Sequence, residues 1–466
     1  MKILSIDSKS ILSGIGISPY YEGAGLWDKA EGIDFWRYPG LLATGYTPTD
    51  KSGEDPVVIA DNIKWFSVHP SGSICYAYGD AGKMYSIDLT NDTPTLLKAI
   101  ANSEGQGMII YKDYLIYAQD TQVGLFGALS GTPAWDTDND DDGISGTSQL
   151  LDISSHPMII GPDKKCYVAD KNLLHHFSLI DGPPSSDWTT ADATHPLVLQ
   201  SDYTISALEN DGHYLITGGA TYPSGTYGAQ QVKIFFWNTW APLPSKEYII
   251  PAADLTALKK HGDWIYAFTR WGVYYFNYSN APKLLIHEGS GITNLYCEAS
   301  QGAVDAWKGS MIWGVDNVWG YGSPSNKLSS ILTNPLRIGA GSASLVHALK
   351  TIGLTKVYVG ALINKFYVFS TGTASATATT VLIDLGRPFH ITGLRVVIET
   401  GGSITASVTD AAGTAILTDI ITTSQTIYKQ GTASPITDQV KISLSIATVA
   451  RIKRITLFGY PTTEDI

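Results

Sequence analysis

The chain has 466 residues, of which 44% are hydrophobic and only 16% charged, against a usual charged share of about 25%. That composition supports a large apolar core and excludes an acidic disordered chain. Lys and Arg total 31 against 43 Asp and Glu, a net charge of −12, which argues against specific nucleic-acid recognition because the chain and the phosphates repel.

Residues 1–45 read as an N-terminal arm, partly irregular. Met1 to Gly14 carries no apolar run of signal-peptide length, so synthesis and folding in a reducing cytoplasm are expected. No stretch approaches 18 uninterrupted apolar residues, so no membrane span is expected. The arm is rich in Gly and Tyr through Gly14–Gly23, Gly32-Ile-Asp-Phe35 and Tyr38-Pro-Gly-Leu-Leu42. An irregular segment of this length usually makes contacts elsewhere or closes a fold.

Residues 46–386 carry an internal repeat. Ser73–Asp80, Tyr114–Asp120, Lys165–Asp170, His213–Gly219, Asp263–Thr269, Ser310–Asp316 and Lys365–Ser370 share a turn, a short apolar strand and a small or acidic end. Aligned on Tyr76, Tyr117, Tyr167, Ile216, Tyr266, Trp313 and Val368, the copies recur at roughly the 40–50-residue period of propeller blades. Stacking such four-stranded sheets radially buries both of their faces. The expected fold is therefore all-β, a β-propeller of about seven blades, with six or eight allowed if blade edges slide. Val381–Leu385 resembles Met84–Leu89 and is expected to end the seventh unit. The column Cys75, Ile116, Cys166, Leu215, Ile265, Ile312 and Tyr367 is expected to pack between blades. Two of the three cysteines then fall at equivalent, inert positions, and neither a disulfide framework nor a zinc site is expected.

Within the repeat, Asp136–Ile144 is the best metal-like constellation. Asp138, Asp140 and Asp142 before Gly143 reproduce the start of a calcium loop, where alternate carboxylates converge on a hard cation. The Ile144 carbonyl could join them. Gln149 stands at the twelfth position, where such a loop places a bidentate Glu, so a solvated acidic loop is the competing reading. No other cofactor is indicated. His175 and His176 neighbour each other in a strand-like run and face opposite ways, which precludes one shared metal site. Trp264, Trp271, Tyr274 and Tyr275, with Trp313, Trp319 and Tyr321, fit core or rim packing better than a sugar platform.

Residues 387–466 form a compositional break, since all twelve Trp lie at or before Trp319. Alternating strands at 391–398, 404–408, 415–421, 440–444 and 452–458 indicate a small, jelly-roll-like β-sandwich. Its opening Ile383–Arg395 and close Ile455–Tyr460 resemble discoidin-type jelly rolls, modules that often bind glycans or neighbouring proteins.

The sequence lacks a G-x-S-x-G elbow, an H-E-x-x-H motif and a Walker loop, so no catalytic residue is nominated and a non-enzymatic role is expected. The Gly-Ile-Asp and Pro-Gly-Leu-Leu phrasing of the arm, ahead of a propeller, resembles propeller-type virion proteins of tailed phages, including tail-nozzle and fibre-attachment components. The resemblance implies a structural or adaptor role in the tail or neck of a phage virion. Its implied partners are other virion proteins and copies of the chain itself, reached through residues 1–45 and the sandwich. An acidic inner surface would then repel passing DNA if the protein lines a conduit. A glycan-binding, receptor-reading protein is the alternative, and a propeller glycoside hydrolase a third.

Overall fold

The structure, a computed structural model, describes the chain apart from residues 12–25, 36–40, 54–57, 100–104, 120–121, 136–149, 151–154, 178–196, 223–229, 288–296, 322–331, 337–344, 371–374, 429–435, 448–449 and 463–466. It is an all-β molecule: seven four-stranded antiparallel sheets arranged as a propeller, and a curled C-terminal sheet forming a half-barrel or sandwich.

The first six blades open with the inner strands Ile63–Val68, Gly105–Tyr111, Met158–Ile160, Tyr203–Asn210, Leu255–His261 and Val304–Trp307, each followed outward by three strands. The seventh starts with Val346–Ile352. Each inner strand touches the inner strands on both sides of it, which closes the ring around a central axis. Tight hairpins set the pleat. Trp307 pairs with Ser310 across Lys308 (φ 50°) and Gly309 (φ 80°), the two left-handed residues that a type I′ turn requires.

The second strand of each blade is the best buried, and its residues alternate between the neighbouring blades. Cys75, Leu115, Cys166, Leu215, Ile265, Met311 and Val357 face the preceding blade; Tyr76, Ile116, Tyr167, Ile216, Tyr266, Ile312 and Tyr358 face the following one. The expected columns are thereby corrected in three copies. In the second and sixth blades the register is one residue off, because consecutive apolar residues, Leu115-Ile116 and Met311-Ile312, let the repeat match slide by one while Leu115 and Met311 face the preceding blade. In the seventh the matched segment lies one strand too far out: Lys356–Ala361 is the second strand and Lys365–Phe369 the third.

The outer strand of the seventh blade comes from the other end of the repeat. Pro48–Asp50 pairs with Lys365–Phe369, Asp50 opposite Tyr367, and the Lys365 ammonium meets the Asp50 carboxylate at 2.6 Å. Val381–Leu385 does not supply that strand. Ile383 instead opens the long strand Ile383–Thr400 of the C-terminal sheet. A ring closed by strands from both chain ends cannot open without breaking a blade.

Strands within residues 1–45 join the C-terminal sheet. Lys2–Ile6 and Leu42–Ala43 pair with Arg451–Pro461, and Trp27–Glu31 pairs with Ala376–Thr380. On its other edge Trp27–Glu31 runs parallel to Leu332–Leu336, the outer strand of the sixth blade, with Glu31 opposite Asn334. One fourteen-stranded sheet therefore runs from the C-terminal unit into the sixth blade. Its core is equally continuous: Trp27, Ile33, Phe35, Leu394 and Leu457 share one apolar cluster with Tyr266, Phe268 and Trp313 of the fifth and sixth blades. No helix among the described residues is long and apolar enough to cross a membrane.

Candidate functional site

The propeller axis is where blades of this kind converge, and here two features fill it. The first is a chain of charges on the inner strands. Asp305, whose side chain is 9% exposed, receives Lys259 at 3.2 Å from the fifth blade and Lys350 at 3.4 Å from the seventh. The Thr351 amide and hydroxyl both donate to Asp305 Oδ2, at 2.9 and 2.8 Å. Burial alone would push the Asp305 carboxyl up; the two lysines and the Thr351 donors outweigh it and hold the carboxyl well below the usual carboxylate range. Burial likewise opposes the charge on Lys259, and Asp305 with Glu209 overcomes it and raises its pKa.

The same register position serves as a joint elsewhere. Glu209 accepts the Lys260 amide at 2.9 Å, and Ser67 Oγ accepts the Ile110 amide at 3.2 Å. Inner strands of neighbouring blades splay apart and cannot form a ladder, so side chains at this level satisfy the free backbone groups.

The second feature is a short plug. Gln301–Ala303 forms a 3-10 turn where the sixth inner strand would otherwise begin, leaving that strand only four residues long. Gln301 Nε2 donates to the carbonyls of Leu258 (3.0 Å) and Leu208 (3.2 Å), and Oε1 accepts the Leu258 amide at 2.8 Å. Gly302 lies against the Lys64 carbonyl so closely that a Cβ would stand 2.1 Å from it. One turn of the sixth blade thus spans the axis to the fourth, fifth and first. The expected acidic lumen is not present among the described inner-strand residues: acids and lysines alternate, and the turn crosses the axis.

At the rim beside the plug, Asp61 and Asp80 form a hydrogen-bonded carboxyl pair with Lys64 and His347 close by. Burial, reinforced by Asp80, raises Asp61 to about 6. Asp80 is lowered: burial pushes it up, but the bonds from Asp61 and Asn62 and the charge of Lys64 prevail. Lys64 Nζ lies 3.9 Å from Asp80 and 3.5 Å from His347 Nδ1. Burial and the Lys64 charge both lower His347. Asp61 Oδ1 accepts the Ala81 amide at 2.8 Å and Oδ2 the Lys83 amide at 3.0 Å. Both oxygens are thus engaged in bracing the turn between the second and third strands.

The calcium-loop residues Asp138, Asp140, Asp142 and Ile144 lie outside the described residues. Among the described residues no group of three or more metal-ligating side chains converges. His175 is buried with its Nε2 3.0 Å from Asp170, while His176 points the other way against the Tyr167 ring. Trp313 packs on Phe268 and Trp264 on Tyr275, as core and rim residues. Trp271 is the exception, 52% exposed at a turn. Cys75, Cys166 and Cys297 are free and buried, and burial pushes the Cys75 thiol up to about 12.

Sequence reasoning missed Gln301, Asp305 and the Asp61–Asp80 pair. Only the alternation Glu209, Lys259, Asp305, Lys350 at blade-length spacing could have signalled the first cluster. The chain matches no family model and none of the curated proteins.

Proposed function

We propose that the chain is a non-enzymatic structural or adaptor protein of a phage virion, built into the tail or neck assembly after synthesis in the host cytoplasm. The observation that supports this reading best is the continuous sheet from the C-terminal unit through Trp27–Glu31 into the sixth blade. A joint made of strand pairing and a shared core resists hinge motion, as a load-bearing or docking part requires. The charged groups at the axis and at its rim support the same reading, since Asp305 and Glu209 at the axis and Asp61 at the rim are all engaged in bracing backbone.

Density-gradient fractionation of lysate from the source culture, with mass spectrometry to locate the chain, tests the proposal. Co-banding with particles at fixed stoichiometry after a salt wash is the expected result. A chain that stays at the top of the gradient overturns it.

A further inference from the structure

The outward face of the C-terminal sheet has a chemistry that the assembly role leaves unused. Strand alternation settles which residues face out. Leu394, Val396, Ile427, Ile455 and Leu457 are buried in the core, so their neighbours Gly393, Arg395, Tyr428, Arg454, Thr456 and Phe458 alternate to the other face. There Arg395, Tyr428 and Arg454 are exposed, Phe458 is half-buried, and Gly393 and Thr456 are covered by their neighbours. Register then arranges the outward side chains in rows across the sheet. Ile436, His390 and Tyr460 share one row. Tyr428, Gly393, Phe458 and Lys2 form the next. Thr426, Arg395 and Thr456 follow, and Val397 with Arg454 comes last. Successive rows are about 7 Å apart at the rise of an antiparallel strand.

Two rings lie open on this face. Tyr428 is 73% exposed and sits across Gly393, where a Cβ would meet Tyr428 Cδ1 at 3.4 Å. Tyr460 is 50% exposed and lies on the His390 ring, centroids 4.9 Å apart at 31°. With no Cβ at Gly393, nothing from that strand crowds the Tyr428 ring, and the residue stays largely open to solvent. Farther along the strands stand two exposed guanidiniums, Arg395 and Arg454, diagonal to each other on adjacent strands. Like charges so placed repel unless a counter-charge arrives. Neither is in an ion pair among the described residues, and segments 390–397, 425–428 and 454–460 contain no acidic residue. The nearest acid in register is Asp7, one step past Ile6, whose Oδ1 accepts the Ser10 amide at 3.3 Å. This cationic strip lies on a chain whose net charge is −12.

We infer that this face binds an acidic polysaccharide, the CH faces of its sugar rings stacking on Tyr428 and Tyr460 and its carboxylates paired with Arg395 and Arg454. Aromatic rings offer apolar area to a pyranose at little cost in side-chain entropy, and a guanidinium matches a carboxylate with two parallel hydrogen bonds. A nucleic acid fits less well. Its phosphates recur at every nucleotide, whereas here the rings and the cations occupy separate rows, and the rest of the chain repels a dense polyanion.

Isothermal titration of the full-length chain with oligogalacturonate, with neutral dextran and oligothymidylate as comparisons, tests the inference apart from any virion role. Oligogalacturonate is expected to bind with an affinity that falls as salt rises, and dextran to give no heat. The surface variants R395A/R454A and Y428A/Y460A should each weaken binding about tenfold or more, the scale of a lost charge-assisted contact or ring stack. Their circular dichroism should match that of the parent chain. Absence of oligogalacturonate binding, or binding unchanged in both variants, overturns the inference. So does tighter binding of oligothymidylate with the same variant pattern, or self-association of the parent chain that R395E/R454E abolishes.

Discussion

Lys259 reaches 3.2 Å from the Asp305 carboxylate across the boundary between the fifth and sixth blades, 46 positions apart in sequence and on inner strands that do not pair. Lys350 closes on the same carboxylate from the other side. Two blade boundaries therefore depend on one side chain.

Replacing Asp305 with Asn should destabilise the fold by about 3 kcal/mol, the lower end for breaking a buried pair because both lysines keep some solvent. The pH dependence has a definite sign. The Asp305 pKa is depressed in the folded chain, so its contribution is complete above the unfolded carboxyl value near 4 and is lost as pH falls below it. Urea denaturation at pH 7 and at pH 3 checks both: the gap between parent and Asp305→Asn should be wide at pH 7 and narrower at pH 3.

Gln301→Ala should cost about 1–3 kcal/mol by leaving the Leu258 amide and two carbonyls without their partner at the axis. Hydrogen exchange followed by mass spectrometry should show faster exchange in the peptide containing Leu258, with peptides of the second blade unchanged.

Trp27 distinguishes an integral N-terminal segment from an accessory one. Its side chain is fully buried in the core shared by the C-terminal sheet and the sixth blade. Trp27→Ala should cost about 3–5 kcal/mol, read as a large drop in thermal midpoint. A change below about 1 kcal/mol, typical of surface positions, would show that the segment is dispensable.

Asp61 should titrate near pH 6 in carboxyl-resolved NMR. A carboxyl raised in the folded state binds its proton more tightly there, so its ionisation penalises the fold increasingly as pH rises from about 4 through 6. Asp80→Asn should move the Asp61 midpoint down by removing the neighbouring charge. Burial, the larger cause, should keep it above the ordinary value.

All three thiols should be silent toward an aromatic disulfide reagent in the native chain and react fully after denaturation, since each cysteine is free and buried. Rapid reaction of Cys75 without denaturant would contradict the inter-blade packing.

What the residues declared by themselves was periodic: turns, four-residue apolar runs and a spacing near that of propeller blades are local signals, and each of the first six blades is built from one contiguous stretch. Alternation likewise marked the strands after Ile391. The registers of the second and sixth copies were not legible because consecutive apolar residues let the match slide by one, and the seventh was matched to the wrong strand because its second and third strands, Lys356–Ala361 and Lys365–Phe369, carry similar apolar runs. Pairings between remote segments were equally hidden. Pro48–Asp50 completing the seventh blade, Trp27–Glu31 bridging two units, and Gln301 crossing the axis leave no periodic mark, since each is one segment meeting a partner that only closure of the ring brings near. Asp305 illustrates the same limit. As one of 43 acids in the sequence it is indistinguishable from the rest; two lysines from adjoining blades, brought within 3.4 Å by tertiary geometry, give it a role.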